Sequence, residues 1–267
     1  MYDTDPPQAD ALRELVITPD GLWRQIDVVE QAGSTNADLA ARAATGAAGP
    51  GSVLITDHQT QGRGRLGRGW EAPAGTSLAV SMLVVPGSDI PDSRWTWLPL
   101  VCGIAVSEGI RRATEVQTTL KWPNDVMVGD RKLAGILAER VATADGVGCV
   151  LGVGINTDLT EDQLPVPWAT SLQLAGASTR NKTTIAATVL RAFALLYDTW
   201  RSETTSADLA QAYVARCATI GRQVRVVLSG TDAVVGRAEA IDDDGRLVVA
   251  TDSGRQVFGA GDIVHLR

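Results

Sequence analysis

The run Gly62-Arg63-Gly64-Arg65-Leu66-Gly67-Arg68-Gly69-Trp70 interleaves three arginines with glycines and holds no acidic residue. Glycine lets a backbone approach a ligand closely and take dihedrals closed to other residues. Arginine supplies bidentate, charge-assisted hydrogen bonds to carboxylate or phosphate. Such a loop suits an anionic ligand, and without one it is expected to be mobile. Residues 62–67 also spell G-x-G-x-x-G, but a dinucleotide fingerprint needs a helix next, its N-terminus on the pyrophosphate. Pro73 and a strand-like run follow instead. A solvated basic loop is the plain alternative, weakened by the number of arginines beside an apolar strand.

A second segment is Lys121-Trp122-Pro123-Asn124-Asp125, followed by Lys132-Leu133-Ala134-Gly135-Ile136-Leu137. Pro123 fixes a turn and biases Trp122 towards extended backbone. Two lysines and a carboxylate at neighbouring strand ends suit a triphosphate and its metal. Singly each is weak: Asp125 is an ordinary turn former and Trp122 an ordinary core residue. Lys132 is harder to dismiss, because it opens an apolar strand and its buried stem leaves a charge in need of a partner. The third segment, Gly152-Val153-Gly154-Ile155-Asn156, reads first as a bulge or close backbone approach. Its functional reading is a wall of small residues against a planar ligand, with the Asn156 amide to hand. The sequence contains no GxxxxGK[ST] loop, G-x-S-x-G elbow or HExxH pair, and His58 and His265 are its two histidines. These absences disfavour P-loop, triad and zinc-hydrolase chemistry.

The elements that must hold these residues follow from periodicity. Strands are expected over 26–30, 52–57, 76–85, 117–128, 132–142 and 147–155, with turns at Gly129–Asp130 and Asp145–Gly146. Helices are expected over 34–45, capped by Ser34 and Thr35, and over 94–113. A further helix over 182–201 carries Ile185, Val189, Phe193, Leu196 and Trp200 on its inner face. After Ile220 the texture changes to short β segments with a turn at 243–245, which reads as a small β-barrel.

Composition sets the outer bounds. The chain has 267 residues, 45% hydrophobic and 21% charged, with a formal net charge of −7. That length suits one large domain plus a small one, and the acidic balance disfavours wholesale nucleic-acid binding. Cys102, Cys149 and Cys217 are scattered without a CxxC pair, which argues against a disulfide framework or structural zinc. No apolar run reaches the roughly 18–20 residues of a membrane span, and no secretory signal is evident. A cytoplasmic protein is expected.

Taken together, Ser34-Thr35-Asn36, Gln59 with the 62–68 loop, Lys121–Asp125, Lys132–Leu137 and Gly152–Asn156 resemble the biotin–protein ligase family in order and spacing. The resemblance extends from about residue 24 through the terminal β segments. It implies an α/β (α+β) fold: a mixed β-sheet flanked by helices, of the class II aminoacyl-tRNA synthetase and biotin ligase kind, with a small C-terminal SH3-like β-barrel. The expected organisation is a flexible lead-in over 1–22, a biotin- and ATP-binding catalytic domain over 23–217, and the small barrel over 218–267.

The same resemblance implies an ATP-dependent ligase that makes biotinyl-5′-AMP and transfers biotin to a lysine of a biotin carboxyl carrier domain, with Mg²⁺. Ser34, Thr35, Asn36 and Gln59 are expected at the ureido ring, with Gly62, Arg63, Gly64 and Gly135 along biotin. Lys132 and Arg65 are expected at the carboxylate and phosphate. Arg68, Trp70, Lys121, Asn124, Gly154 and Asn156 are expected along ATP or the adenylate. Lys121 and Asp125 join Arg65 and Lys132 as candidate catalytic groups, and no metal ligands are assigned. Relatives that double as repressors carry a winged helix-turn-helix ahead of this region. The first 20 residues leave no room for one, so DNA is not expected as a partner, nor is a membrane; a monomer or weak dimer is. The alternatives are a lipoate or octanoate ligase on the same scaffold and, from another class, a nucleic-acid-binding module.

Overall fold

The computed structural model describes residues 5–202, 207–228 and 233–266. A seven-stranded sheet runs in the order β1-β2-β3-β7-β6-β5-β4. Its strands are β1 (Gln25–Val28), β2 (Ser52–Thr56), β3 (Ser77–Val84), β4 (Thr119–Lys121), β5 (Asp125–Val128), β6 (Arg131–Thr143) and β7 (Gly146–Asn156). β1 and β2 are parallel and the other neighbours antiparallel.

Every residue of β2 and β3 is buried, because helices cover both faces of the sheet. Side chains alternate between faces along a strand. Thus Val53, Ile55, Leu78, Val80, Met82, Leu151, Val153 and Ile155 join the main core. That core includes α3 (Leu98–Thr114) and α4 (Lys182–Ser202). Leu54, Leu83 and Val150 point the other way and meet Leu39 and Ala43 of α2 (Thr35–Ala44) in a second cluster. α3 is buried nearly all round, as its apolar sequence requires. In α4, Ile185, Val189, Phe193 and Trp200 are buried as expected, and Tyr197 takes more of the core than the half-buried Leu196.

Four differences from the expected elements have local causes. The strand expected over 117–128 breaks at Trp122-Pro123-Asn124, so that β4 and β5 pair antiparallel with Lys121 opposite Asp125; the Trp122–Pro123 peptide is cis. The helix expected from 94 begins as a 3-10 segment, Asp92–Trp97, and becomes α-helical at Leu98. α5 (Ala207–Val214), which carried no signal strong enough to be expected, buries Leu209 and Tyr213. Within the lead-in, α1 (Ala9–Val16) is an amphipathic helix that buries Leu12 and Val16 in the main core.

The C-terminal unit is a five-stranded antiparallel sheet in the order β11-β10-β9-β8-β12. Its strands are β8 (Gln223–Val227), β9 (Ala233–Ile241), β10 (Leu247–Thr251), β11 (Gly254–Phe258) and β12 (Asp262–His265). Trp97 and Trp122 of the large sheet region anchor its β9–β10 turn by donating indole N–H bonds to Asp243 O at 2.7 Å and Gly245 O at 3.2 Å. Among the described residues no helix is long and apolar enough to cross a membrane.

Candidate functional site

On the α2 face, the middle of the sheet carries small side chains. Register sets Ala79, Gly154 and Gly135 in one row across β3, β7 and β6, and Ser81, Gly152 and Leu137 in the next. This floor underlies a cavity of about 970 Å³. Two glycines are needed for their lack of a side chain. A Cβ on Gly154 would lie 2.5 Å from the Trp70 indole, and one on Gly152 would lie 2.2 Å from Asn36 Oδ1. At Gly152–Asn156 the first reading, a close approach that excludes a side chain, is what the geometry shows: the groups that approach are the Trp70 indole and the Asn36 amide.

One end of the cavity is neutral and polar. Ser34 and Thr35 stand at the start of α2, but the Ser34 side chain makes no capping bond, contrary to the expected cap. The Thr35 side chain turns inward, and its backbone N–H and its hydroxyl lie 2.8 Å and 3.0 Å from Gln59 Oε1. The Asn36 amide nitrogen donates to Leu137 O at 3.2 Å and to Glu139 Oε2 at 2.8 Å. Ser81 Oγ sits 2.8 Å from Thr35 Oγ1 and 2.7 Å from Asn36 Oδ1.

The other end is cationic. Lys132 Nζ pairs with Asp125 Oδ1 at 2.6 Å and lies 5.7 Å from the Trp70 ring centre. Lys121 is half-buried beside them. Burial pulls its ammonium below the usual lysine range, the Asp125 charge opposes that shift, and Lys132 adds to it. Arg65 donates to Asn124 Oδ1 at 3.0 Å and to Gly261 O at 3.3 Å. Burial also lowers the Arg65 guanidinium, and Asp262 opposes that effect. Arg68 forms a 2.8 Å ion pair with Asp262.

The arginine loop is folded on itself rather than unstructured. Gly64 N–H donates to Arg68 O at 2.7 Å, Trp70 N–H donates to Gly62 O at 2.9 Å, and Arg63 bridges Gly69. Leu66, at its tip, adopts a positive φ of 56°.

The cavity brings together Ser34, Thr35, Asn36, Gln59, Arg63, Gly64, Arg65, Arg68, Trp70, Lys121, Asn124, Asp125, Lys132, Gly135, Gly154 and Asn156. Gly62 lies outside this lining. Asn156 is less free than expected, since its amide nitrogen donates to Thr170 O at 2.8 Å. Sequence reasoning missed Asp262 and His265, which reach the cavity from β12. It also missed Ser81 and Glu139, which contact the lining from behind, and Trp168, 62% exposed at the rim. An exposed tryptophan beside prolines was the one signal available. His265 is pushed down to about 4, first by burial and then by Lys121 and Arg222. No cluster of three metal-ligating side chains occurs among the described residues.

Residues 30–156 match the biotin/lipoate A/B protein ligase family, and residues 219–266 match the biotin protein ligase C-terminal domain. The chain is 45% identical to the biotin–[acetyl-CoA-carboxylase] ligase of Mycobacterium tuberculosis over the full length of both. It is 32% identical to the Escherichia coli bifunctional ligase/repressor BirA, covering 80% of this chain and 66% of that one. The structure resembles that of an Aquifex aeolicus biotin protein ligase in complex with biotin and ATP. The TM-score is 0.76 at 25% identity, covering 92% of this chain and 100% of that one. With a full-length relative this similar and both parts matched, the chain belongs to the biotin protein ligase family.

Proposed function

We propose that this chain activates biotin with ATP in the cavity described above and transfers it to a lysine of the biotin carrier of acetyl-CoA carboxylase. The observation that carries the reading is the polarity of that cavity: a neutral, hydrogen-bonding end fits a cyclic urea, and the cationic end fits a carboxylate and phosphates. Ser34, Thr35, Asn36 and Gln59 hold the ureido ring, Trp70 and the Gly135/Gly154 pair flank the chain and adenylate, and Lys132, Arg65, Lys121 and Arg68 receive the anions.

The biotin carboxylate attacks the α-phosphorus of ATP; the bond to pyrophosphate breaks and a mixed anhydride forms. Two anions must be brought together, so the rate gain is chiefly electrostatic, from cations already aimed at the phosphate. The acceptor amine then attacks the acyl carbon and AMP leaves with the phosphate oxygen. Lys132 is committed to Asp125 at 2.6 Å. When Lys132 turns to the substrate anion, Asp125 becomes free to take the proton the amine must lose. Mg²⁺ characteristically keeps several waters and binds through phosphates plus one or two carboxylates. Asp125 in this cavity fits that need; the ion would neutralise phosphate charge.

The test is biotin-dependent exchange of label between pyrophosphate and ATP, followed by a streptavidin blot of a carrier domain incubated with enzyme. Exchange with biotin and a labelled carrier are expected. Exchange with lipoate or octanoate but not biotin would overturn the assignment. Retention of labelled DNA on filters without any exchange would overturn it in favour of a nucleic-acid-binding module.

A further inference from the structure

Four polar side chains at the neutral end form a line of oxygens: Gln59 Oε1, Thr35 Oγ1, Ser81 Oγ and Asn36 Oδ1, separated by 3.0, 2.8 and 2.7 Å. Thr35, Asn36 and Ser81 are at most 4% exposed, so their bonding partners are protein groups or a ligand. The hydrogens of this line can be counted. Gln59 presents its carbonyl oxygen, because the backbone N–H of Thr35 points at it from 2.8 Å. Asn36 must aim its nitrogen at Leu137 O and the Glu139 carboxylate, neither of which has a hydrogen to offer. Both ends of the line are therefore acceptors. Three oxygen–oxygen contacts share two hydroxyl hydrogens, and one contact is always without one.

The Ser81 hydroxyl is placed to donate to Thr35 Oγ1 or to Asn36 Oδ1. Asn36 is 4% exposed and its Oδ1 has no other donor among the described residues, so the Ser81 hydrogen goes there and the Thr35 hydrogen goes to Gln59. Thr35 Oγ1 then accepts nothing along this line and is left able to accept from the cavity. Were Asn36 turned over, its nitrogen would donate to Ser81, Ser81 to Thr35 and Thr35 to Gln59, satisfying every contact and occupying the Thr35 oxygen. What prevents the turn is chiefly Glu139, whose charged carboxylate would then face the Asn36 carbonyl oxygen at 2.8 Å, with the neutral Leu137 O adding a weaker opposition from 3.2 Å.

We propose that Glu139 is a positioning residue for substrate selection. Through Asn36 and Ser81 it keeps Thr35 Oγ1 an acceptor, so that the neutral end selects a ring N–H over a ring oxygen. Glu139 and Ser81 do not line the cavity, so neither touches the ligand. The proposal rests on biotin being the ligand of this end.

The experiment measures, by calorimetry, the dissociation constants of biotin and of its two cyclic carbamate analogues, in each of which one ureido N–H is replaced by oxygen. Wild type, Glu139→Leu, Ser81→Ala and the double variant are compared, with ATP affinity and melting temperature as controls on folding. Wild type should disfavour the analogue whose oxygen meets Thr35 by roughly tenfold or more, since two acceptors then face each other. Glu139→Leu should shrink that ratio several-fold while leaving ATP affinity unchanged. Ser81→Ala should keep the ratio, because Thr35 loses its one route to becoming occupied. The double variant should regain what Glu139→Leu lost, an outcome that a packing role for Glu139 would not produce. Equal weakening of biotin and analogue in Glu139→Leu, or no recovery in the double variant, would overturn the proposal alone. A wild-type chain that binds none of the three ligands would overturn the functional reading and this proposal together. Should Glu139→Leu not fold, Glu139→Val asks the same question in a strand-compatible side chain.

Discussion

The two ends of the cavity solve different binding problems. At the neutral end Thr35, Asn36 and Ser81 are buried and bonded to one another, and β3, β6 and α2 fix them from three sides. At the cationic end Arg65, Lys121 and Lys132 are half-buried, and their partners are Asn124, Gly261 O and Asp125. The proposed function requires those partners to be exchanged for substrate anions. A neutral ring of fixed shape rewards rigidity, since an ordered pocket loses little entropy on binding. Two anions that react and then leave reward groups able to change partners.

The largest effect expected from breaking this contrast is at Lys132. Lys132→Ala removes the charge proposed to join both anions and leaves Asp125 unpaired; the loss should be about 3–4 kcal/mol in transition-state stabilisation, or several hundredfold in pyrophosphate exchange. The melting temperature should fall modestly, because Asp125 loses its partner and both side chains of the pair are mostly buried. Wild-type exchange in a folded variant would show that the cationic end is not where the anions meet.

Arg65→Gly should have the next largest effect, and on a different step. The adenylate still forms, but losing a charge-assisted contact of about 1.5–3 kcal/mol lets it escape ten- to a hundredfold faster. The free anhydride acylates bystander lysines. Serum albumin incubated with variant, biotin and ATP should then blot with streptavidin, and with wild type it should stay blank. Blank albumin in both, with adenylate synthesis intact, would remove Arg65 from the role of clamp.

His265 sharpens the contrast through pH. Its folded-state value of about 4 lies below the ordinary 6.5, so between these values the unfolded chain binds a proton that the folded chain refuses. Stability due to this group is present above about pH 6.5 and is lost as pH falls towards 4. The ring is half-exposed, so after solvent screening the effect is about 1–2 kcal/mol. The difference in unfolding free energy between wild type and His265→Gln should follow that curve; a flat difference would mean that burial, helped by Lys121 and Arg222, does not burden the ring.

The smallest effect is expected at Asp262. Asp262→Asn breaks an exposed ion pair with Arg68, worth about 0–1 kcal/mol. Trypsin should cut within residues 63–68 faster in the variant, and biotin with ATP should restore protection in both proteins. Unchanged cutting would show that the loop's own backbone bonds hold it without help from β12.

Much of the cationic end was legible from sequence, because glycine-spaced arginines and a lysine opening an apolar strand are unusual wherever they occur. The neutral end was legible only as a resemblance: Ser34, Thr35 and Gln59 look like a helix start and a loop residue until the sheet register brings them together. Ser81 and Glu139 carried no local signal, since a serine in an apolar strand and a glutamate on a sheet face are both ordinary. The break of the 117–128 strand at Trp122-Pro123 was within reach, because proline cannot donate to a ladder. Asp262 was out of reach, because its partner Arg68 stands 194 positions earlier.

That separation also orders events in time. The loop at 62–70 emerges early in synthesis, yet its contacts with Gly261 and Asp262 cannot form until β12 has been made. Contacts between distant positions are the slow ones to close, and domains of a growing chain fold from the N-terminus onward. A nascent chain can therefore complete the large sheet and the helices that cover it, which end with α5, before the C-terminal strands are made. The contacts of the arginine loop with the C-terminal sheet are among the last that synthesis makes possible.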